Sequence, residues 1–146
     1  MKRIDDLLNP VIRTQHNCVG HSSFLPFDSA NMTKGASLMD TIRQYPPELL
    51  SLLGWIVIPD SVGHDMMHNI RCYRASAGSD GSVKDGIGGH AFAISDNSFT
   101  QAIWGHAHTV GSQREMTSLR AEHGGALGIL LLLQAMNIFY QETFPK

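Results

Sequence analysis

The segment that most constrains the fold is the apolar run GGALGILLLLQAMNIF, residues 124–139. A helix that crosses a membrane needs about 20 consecutive apolar residues, whereas this run is shorter and contains Gln134 and Asn137. It therefore predicts a helix buried inside a protein. Gly124 and Gly128 lie one helical turn apart, a spacing that lets a helix backbone pack closely on a sheet.

Strand-like segments precede this helix. Residues 90–94 and 101–110 form β-prone runs separated by the polar turn SDNSF, and the second run places an aromatic residue and two histidines on alternate positions. The glycine-rich stretch SDGSVKDGIGG, which we interpret as a loop after an earlier strand, comes before them. Thr117 or Ser118 is a suitable N-cap for the helix. This order predicts an α+β fold with a three-stranded antiparallel sheet and one long apolar helix.

The first part of the chain has little periodicity. Residues 1–46 are rich in Asn, Ser, Thr, His and Gly, with one short helix expected at 36–44. The segment PELLSLLGWIVIP joins a helical start to a β-branched run, and Asp60 or Ser61 is a candidate N-cap for another short helix. We therefore expect an irregular and partly helical extension at 1–75 and the main domain at 76–146.

The composition of the chain excludes several classes of protein. With 42% hydrophobic residues, 16% charged residues and a net charge of −2, the chain is globular and has no polybasic footprint for nucleic acid or anionic lipid. Asp5, Asp6 and Pro10 interrupt any signal-peptide core. Cys18 and Cys72 are too few for a disulfide framework. We expect an intracellular protein, cytoplasmic or nuclear, that does not contact a membrane.

Two carboxylates are candidates for a site. Asp80, followed by Gly81 and Ser82, suits a hard cation such as Mg²⁺, although the same triplet is also an ordinary turn sequence. Glu122 lies early in the long helix beside Ala121 and a glycine pair, which indicates a close-packing face. An unpaired carboxylate on such a face is costly, so a cation or another partner is expected to meet it.

The segments that contain Asp80 and Glu122 resemble a known protein family. The stretch SDGSVKDGIGG, two strands and then TSLRAEHGGALGILLLL resemble the type 1 ribonuclease H domain, particularly its divergent versions in the reverse-transcriptase polyproteins of retrotransposons, over about residues 76–140. In that family an Asp-Gly-Ser on the first strand and an Arg-x-Glu on the first long helix help to hold two Mg²⁺ ions. The resemblance implies that Asp80 and Glu122 are catalytic metal ligands for Mg²⁺, or Mn²⁺ in its place. It also implies an endonuclease that cuts the RNA strand of an RNA:DNA hybrid.

The chain departs from this pattern at its C-terminal side. The family's later carboxylates have no counterpart before Lys146, and Glu142 lies in a segment without strand character, so we do not assign it as a ligand. We therefore expect a domain truncated after its long helix, with impaired activity, and leave open whether it is an enzyme. The alternative is a non-catalytic structural remnant or interaction module, whose exposed helix face docks a partner chain or a second copy.

A further alternative is zinc binding through HDMMH. His64 and His68 share one helix face, as in the zinc-protease pattern, but Asp65 replaces the glutamate base. None of the candidates for a third ligand stands at a diagnostic spacing; they are Cys72, His90, His106 and His108. The competing interpretation is a short amphipathic helix that packs through Met66 and Met67.

Overall fold

The computed structural model describes residues 31–60 and 62–141. The chain divides into two compact units, Met1–Met32 and Thr33–Lys146. The predictions for residues 1–30, for Ser61 and for Glu142 concern residues outside the described ranges. The elements of the second unit, in chain order, are α1 (Leu38–Ile42), α2 (Pro47–Leu53), β1 (Trp55–Val57), α3 (His64–Arg71), β2 (Ala75–Lys84), β3 (Ile87–Asp96), β4 (Ala102–His108) and α4 (Ser118–Phe139).

The sheet has four antiparallel strands in the order β1-β4-β3-β2, followed by the C-terminal helix α4. The predicted α+β class is confirmed, but the expectation of three strands was wrong. The additional strand is β1, in which the β-branched Ile56 and Val57 pair with β4. Gly54 makes this possible, because its φ of +61° turns the chain from α2 into β1, and an added Cβ would lie 2.5 Å from that of Ala107.

The glycine-rich stretch is mostly strand, contrary to the predicted loop. Only Asp85 and Gly86 form the turn between β2 and β3, with φ values of +53° and +75°. This pair suits a two-residue hairpin loop, which requires positive φ at both positions. Strand β2 pairs with β3 over its whole length, from Ala75 opposite Asp96 to Lys84 opposite Ile87. This pairing keeps the residues before the turn extended.

The long helix α4 packs on β2 and β3 through a stripe of small residues. An added Cβ on Gly124 would lie 2.7 Å from Nδ1 of His90, and one on Gly128 would lie 2.6 Å from Cδ1 of Phe92. The helix begins as predicted at the N-cap Thr117, whose side chain accepts a hydrogen bond from the Arg120 N–H at 3.1 Å. In the part of the chain that the structure describes, no helix is long and apolar enough to cross a membrane.

Helices α1 and α2 pack against α4. The Tyr45 hydroxyl, between α1 and α2, lies 2.7 Å from the Leu131 carbonyl oxygen and 2.8 Å from Oε1 of Gln134. The Leu52 carbonyl oxygen of α2 lies 2.7 Å from Nε2 of His90, a side chain that faces α4. These helices therefore share one side of the sheet.

The short helices differ in detail from the expectation. Helix α1 lies within the predicted 36–44 range, with Ser37 as its N-cap. Helix α3 begins at His64 after Gly63, so Asp60 does not cap it. No side-chain hydrogen bond caps its first turn, and burial of Met66 and Met67 stabilises the helix instead.

Substituting Gly81 tests how closely α4 lies on β2. In Gly81→Ala the new Cβ would collide with the Ala121 carbonyl and the Glu122 nitrogen, and we expect the free energy of unfolding to fall by about 1–3 kcal/mol. Gly78→Ala on the same strand is the matched control, since an added Cβ there meets nothing within 4 Å, and it should change stability by less than about 0.5 kcal/mol. Urea denaturation measures both, and equal effects would contradict the packing.

The carboxylate of Asp96 stabilises the turn between β3 and β4. The Thr100 hydroxyl and the Gln101 and Thr100 N–H groups donate to this carboxylate, and the Thr100 hydroxyl contributes most to holding the pKa of Asp96 below its usual value. A carboxylate with a lowered folded-state pKa contributes stability at neutral pH that is lost as the pH falls through that pKa. We expect wild-type stability to drop between about pH 5 and pH 3, and the drop to be smaller in Asp96→Asn, as measured by urea denaturation at each pH. Identical pH profiles would contradict this role.

Candidate functional site

Asp80 faces away from α4. Its neighbours Ser79 and Gly81 both contact the helix, with the Ser79 Cβ 2.9 Å from an added Cβ on Gly125. Because side chains alternate along a strand, the Asp80 side chain points to the other side of the sheet. Residues that pair across neighbouring strands point to the same side of the sheet. Ala91 pairs with Asp80 and His106 pairs with Ala91, so both lie on this side as well. We call this side of the four strands the open face.

Aromatic and imidazole side chains form one part of the open face. Trp55, which pairs with His106, is 68% exposed, and Trp104 is 43% exposed. The Trp104 and His106 rings are nearly parallel, with their centroids 6.3 Å apart and an angle of 19° between planes. The predicted alternation that places Trp104, His106 and His108 on one side is therefore present in β4. The sequence did not reveal Trp55 as a member, because β1 was not recognised as a strand.

A shallow depression of about 880 Å³ lies along this face. Its floor includes the small residues Gly89 and Ala91 of β3. Asp80 and Ser82 border it on the β2 side, and His106 borders it on the β4 side. The depression is wide and open, so it suits an extended ligand better than an enclosed small molecule.

The Asp80 carboxylate is accessible to a cation. The side chain is exposed, and its Oδ1 accepts a hydrogen bond from the Gly81 N–H at 3.0 Å. Strand β2 is also the outermost strand of the described sheet on this side. Asp80 is therefore a mid-strand residue near a sheet edge, and not a turn residue.

Glu122 is exposed in the second turn of α4, although the sequence argument placed it on the packing face. The buried residues around it are Ala121, Gly124 and Gly125, which form the stripe that contacts the sheet. Successive residues of a helix are rotated by about 100°, so Glu122 points away from that stripe. The argument failed because neighbours in sequence do not share a helix face.

The fold brings the backbones of Asp80 and Glu122 close together in space, but their side chains do not lie on one face. Gly81 packs directly against the backbone of Ala121 and Glu122, so the Cα atoms of Asp80 and Glu122 lie within roughly 9 Å of each other. The Asp80 side chain leaves β2 toward the open face, whereas Glu122 enters solvent beside α4. Among the described residues, no group of three or more His, Cys, Asp or Glu side chains is arranged to hold a metal ion.

The two residues offer the donor chemistry of Mg²⁺ ligands, although their side chains lie on different faces. Mg²⁺ binds through one or two carboxylates and completes its octahedron with waters and phosphate oxygens. Asp80 and Glu122 are both exposed carboxylates near the β2 edge. A single ion bound by both would require the two side chains to turn toward each other around that edge.

His90 has a structural role. It is buried, and its Nδ1 lies 2.9 Å from Oγ1 of Thr109 while its Nε2 lies 2.7 Å from the Leu52 carbonyl oxygen. Both ring nitrogens are therefore engaged, and the imidazole joins α2, β3 and the end of β4. This arrangement leaves no ring nitrogen to bind a metal.

Neutralising the two carboxylates should leave the fold intact. Asp80→Asn and Glu122→Gln alter exposed side chains, so each should change the free energy of unfolding by less than about 0.5 kcal/mol. His90→Leu is the contrasting variant, because it leaves buried polar partners unsatisfied and should cost about 1–3 kcal/mol. Urea denaturation checks all three, and a large loss in Asp80→Asn would show that this carboxylate has a structural role.

Comparison with known proteins gives no relative. No protein-family model, no curated protein and no solved structure matches the chain. Any function must therefore be argued from the residues of this chain and their arrangement.

Proposed function

We propose that the chain is a ribonuclease H-like nucleic-acid-processing domain in which Asp80 and Glu122 hold Mg²⁺ against the backbone of an RNA:DNA hybrid. The observation that carries this proposal is the close packing of Gly81 on Ala121 and Glu122. It sets the Asp-Gly-Ser of β2 beside the Arg-x-Glu of α4, the two motifs on which the resemblance rests.

The order of elements supports the same proposal. Three consecutive antiparallel strands, β2, β3 and β4, are followed by a long helix that packs back on β2 and β3. The resemblance implies this order for the first half of a ribonuclease H-like domain. The additional strand β1 lies at the far edge, next to β4, and leaves the β2 edge unchanged.

The residues define what each part of the site does. Bound Mg²⁺ would supply charge stabilisation to a phosphate and activate a water molecule. Asp80 and Glu122 provide the anionic ligands, and the Gly81 N–H orients the Asp80 carboxylate through its hydrogen bond. Lys84 is the one basic residue of β2, and the strand period places it on the same face as Asp80, where it can meet a second phosphate.

The ligand count sets the expected activity. Two carboxylates hold Mg²⁺ less firmly than the larger set of the family, so a hybrid phosphate has to complete the coordination. We therefore expect hybrid binding to depend on Mg²⁺ and cleavage of the RNA strand to be slow. Mn²⁺, which accepts the same oxygen ligands, should replace Mg²⁺.

The second candidate function is a non-catalytic interaction module. The exposed aromatic residues Trp55 and Trp104 on the open face favour it, because such side chains are enriched at protein interfaces. Helices α1 and α2 contact α4, so the helix face expected to dock a partner is partly covered. A partner chain or second copy would then occupy the open face. Sedimentation discriminates, since a concentration-dependent oligomer that Trp55→Ser and Trp104→Ser dissociate favours the module.

The nuclease proposal is tested with a labelled RNA:DNA hybrid, by measuring binding and cleavage with Mg²⁺, with Mn²⁺ and with a chelator. Asp80→Asn and Glu122→Gln should each weaken metal-dependent binding, and any cleavage, by at least about tenfold. Asp85→Asn is the matched control, because it removes an exposed carboxylate from the β2–β3 turn and should have no effect.

Two results would count against the proposal. The first is a folded wild-type chain whose hybrid binding does not respond to Mg²⁺ or Mn²⁺. The second is cleavage that persists unchanged in Asp80→Asn, which would assign the activity to other residues.

A further inference from the structure

The open face has large side chains on one half and small side chains on the other. We call the half on β1 and β4 the ridge and the half on β2 and β3 the floor. Residues that pair on neighbouring strands point to the same side of the sheet, so the register arranges the open face in rows across the four strands. Each row begins on the ridge and ends on the floor.

The middle row contains the Asp80 carboxylate. It runs from Trp55 on β1 through His106 and Ala91 to Asp80 on β2. Trp55 is 68% exposed, and Ala91 is exposed although it lies on a central strand. In this row two rings therefore stand beside an alanine that leaves space above the sheet.

The adjacent row repeats the division. It runs from Val57 on β1 through Trp104 and Ala93 to Gly78 on β2. Trp104 is 43% exposed, and a Cβ added at Gly78 would meet nothing within 4 Å. The floor is thus open where the ridge carries its second indole ring.

A two-fold axis parallel to the strands, placed above the boundary between β3 and β4, reverses every row. The ridge of one copy then lies on the floor of the other. The resulting opposite pairs are Trp104 with Ala93, His106 with Ala91, and Trp55 with Asp80. The last pair is also complementary in polarity, because the indole N–H is a donor and the carboxylate is an acceptor. Such self-complementarity is what a symmetric dimer interface requires.

We propose that the open face binds a second copy of this chain in this two-fold arrangement, with the two sheets packed face to face and the helices outside. Aligned sheets pack about 10 Å apart, a distance that interdigitating side chains fill. The proposal specifies the partner and the geometry of the interaction module described above, on which it rests, and it does not depend on the nuclease proposal. Because Asp80 lies in the interface, the dimer covers the face on which a hybrid is proposed to bind.

The area of the open face sets the strength of this association. Four strands about 4.8 Å apart, and the seven residues of β4 at about 3.4 Å each, give a face of roughly 19 by 24 Å. Two copies then bury about 900 Å² in total, which is less than a standard stable interface buries. We therefore expect a weak, reversible dimer that dissociates on dilution.

The opposite pairs allow a mixing experiment. In a homodimer Trp104→Ala leaves a cavity at both contacts, whereas Ala93→Trp overfills both. In a mixed dimer the enlarged position 93 meets the shortened position 104, and the other contact is that of the wild type. Each variant alone should associate at least about tenfold more weakly than the wild type, whereas an equimolar mixture should recover the wild-type affinity to within about threefold.

Sedimentation over a range of protein concentrations, without metal or nucleic acid, measures the association. His106→Ala with Ala91→Trp provides the same test one row away, at an exposed floor position. Leu119→Ser is the matched control, since it removes an exposed apolar side chain from α4, which packs on the opposite side of the sheet, and it should dimerise as the wild type does. Circular dichroism verifies that each variant is folded.

Three outcomes would overturn the proposal. A wild type that stays monomeric at every concentration assigns the open face to another partner. A dimer that Trp104→Ala and His106→Ala leave unchanged has its interface elsewhere. Failure of both mixtures to recover affinity contradicts the two-fold arrangement. Since none of these measurements involves Mg²⁺ or a hybrid, failure of this proposal is distinguishable from failure of the nuclease proposal.

Discussion

The close approach of α4 to β2 and β3 is the contact on which the rest of the structure depends. Gly124, Gly125 and Gly128 bring the helix backbone down onto the sheet, and Gly81 removes the side chain that would otherwise hold it off. Ring contacts with His90 and Phe92 fill the remaining space between helix and strand. The apolar helix is thereby buried although the sheet is small.

This contact also decides where the functional side chains point. Since Ser79 and Gly81 must face the helix, alternation sends Asp80 to the open face. The same alternation, carried across the register, places Asp80 in one row with Ala91, His106 and Trp55. Packing of the core therefore determines that the carboxylate lies on the same face of the sheet as the exposed aromatic residues, while Glu122 lies on the helix side of the same strand.

The sequence predicted the features that depend on long, regular patterns. The start of α4 at Thr117, its burial and the alternation in β4 were all readable, because each is repeated over many residues or carries a capping signal. Strand β1 was not, because three residues are too few to show a period. The extension of β2 through Asp80 depends on its partner β3, which local propensity does not include. The backbones of Asp80 and Glu122 approach each other through the contact of Gly81 with Ala121 and Glu122, while the directions of their side chains follow only from the three-dimensional register.

The proposed Mg²⁺ site offers oxygen donors alone, and this affects how the nuclease proposal should be judged. Mg²⁺ prefers oxygen ligands, but Zn²⁺ also binds carboxylates. Traces of Zn²⁺ could therefore occupy Asp80 and Glu122 in place of Mg²⁺. A Mg²⁺ requirement is interpretable as a property of these two carboxylates only when Zn²⁺ has first been removed from the protein.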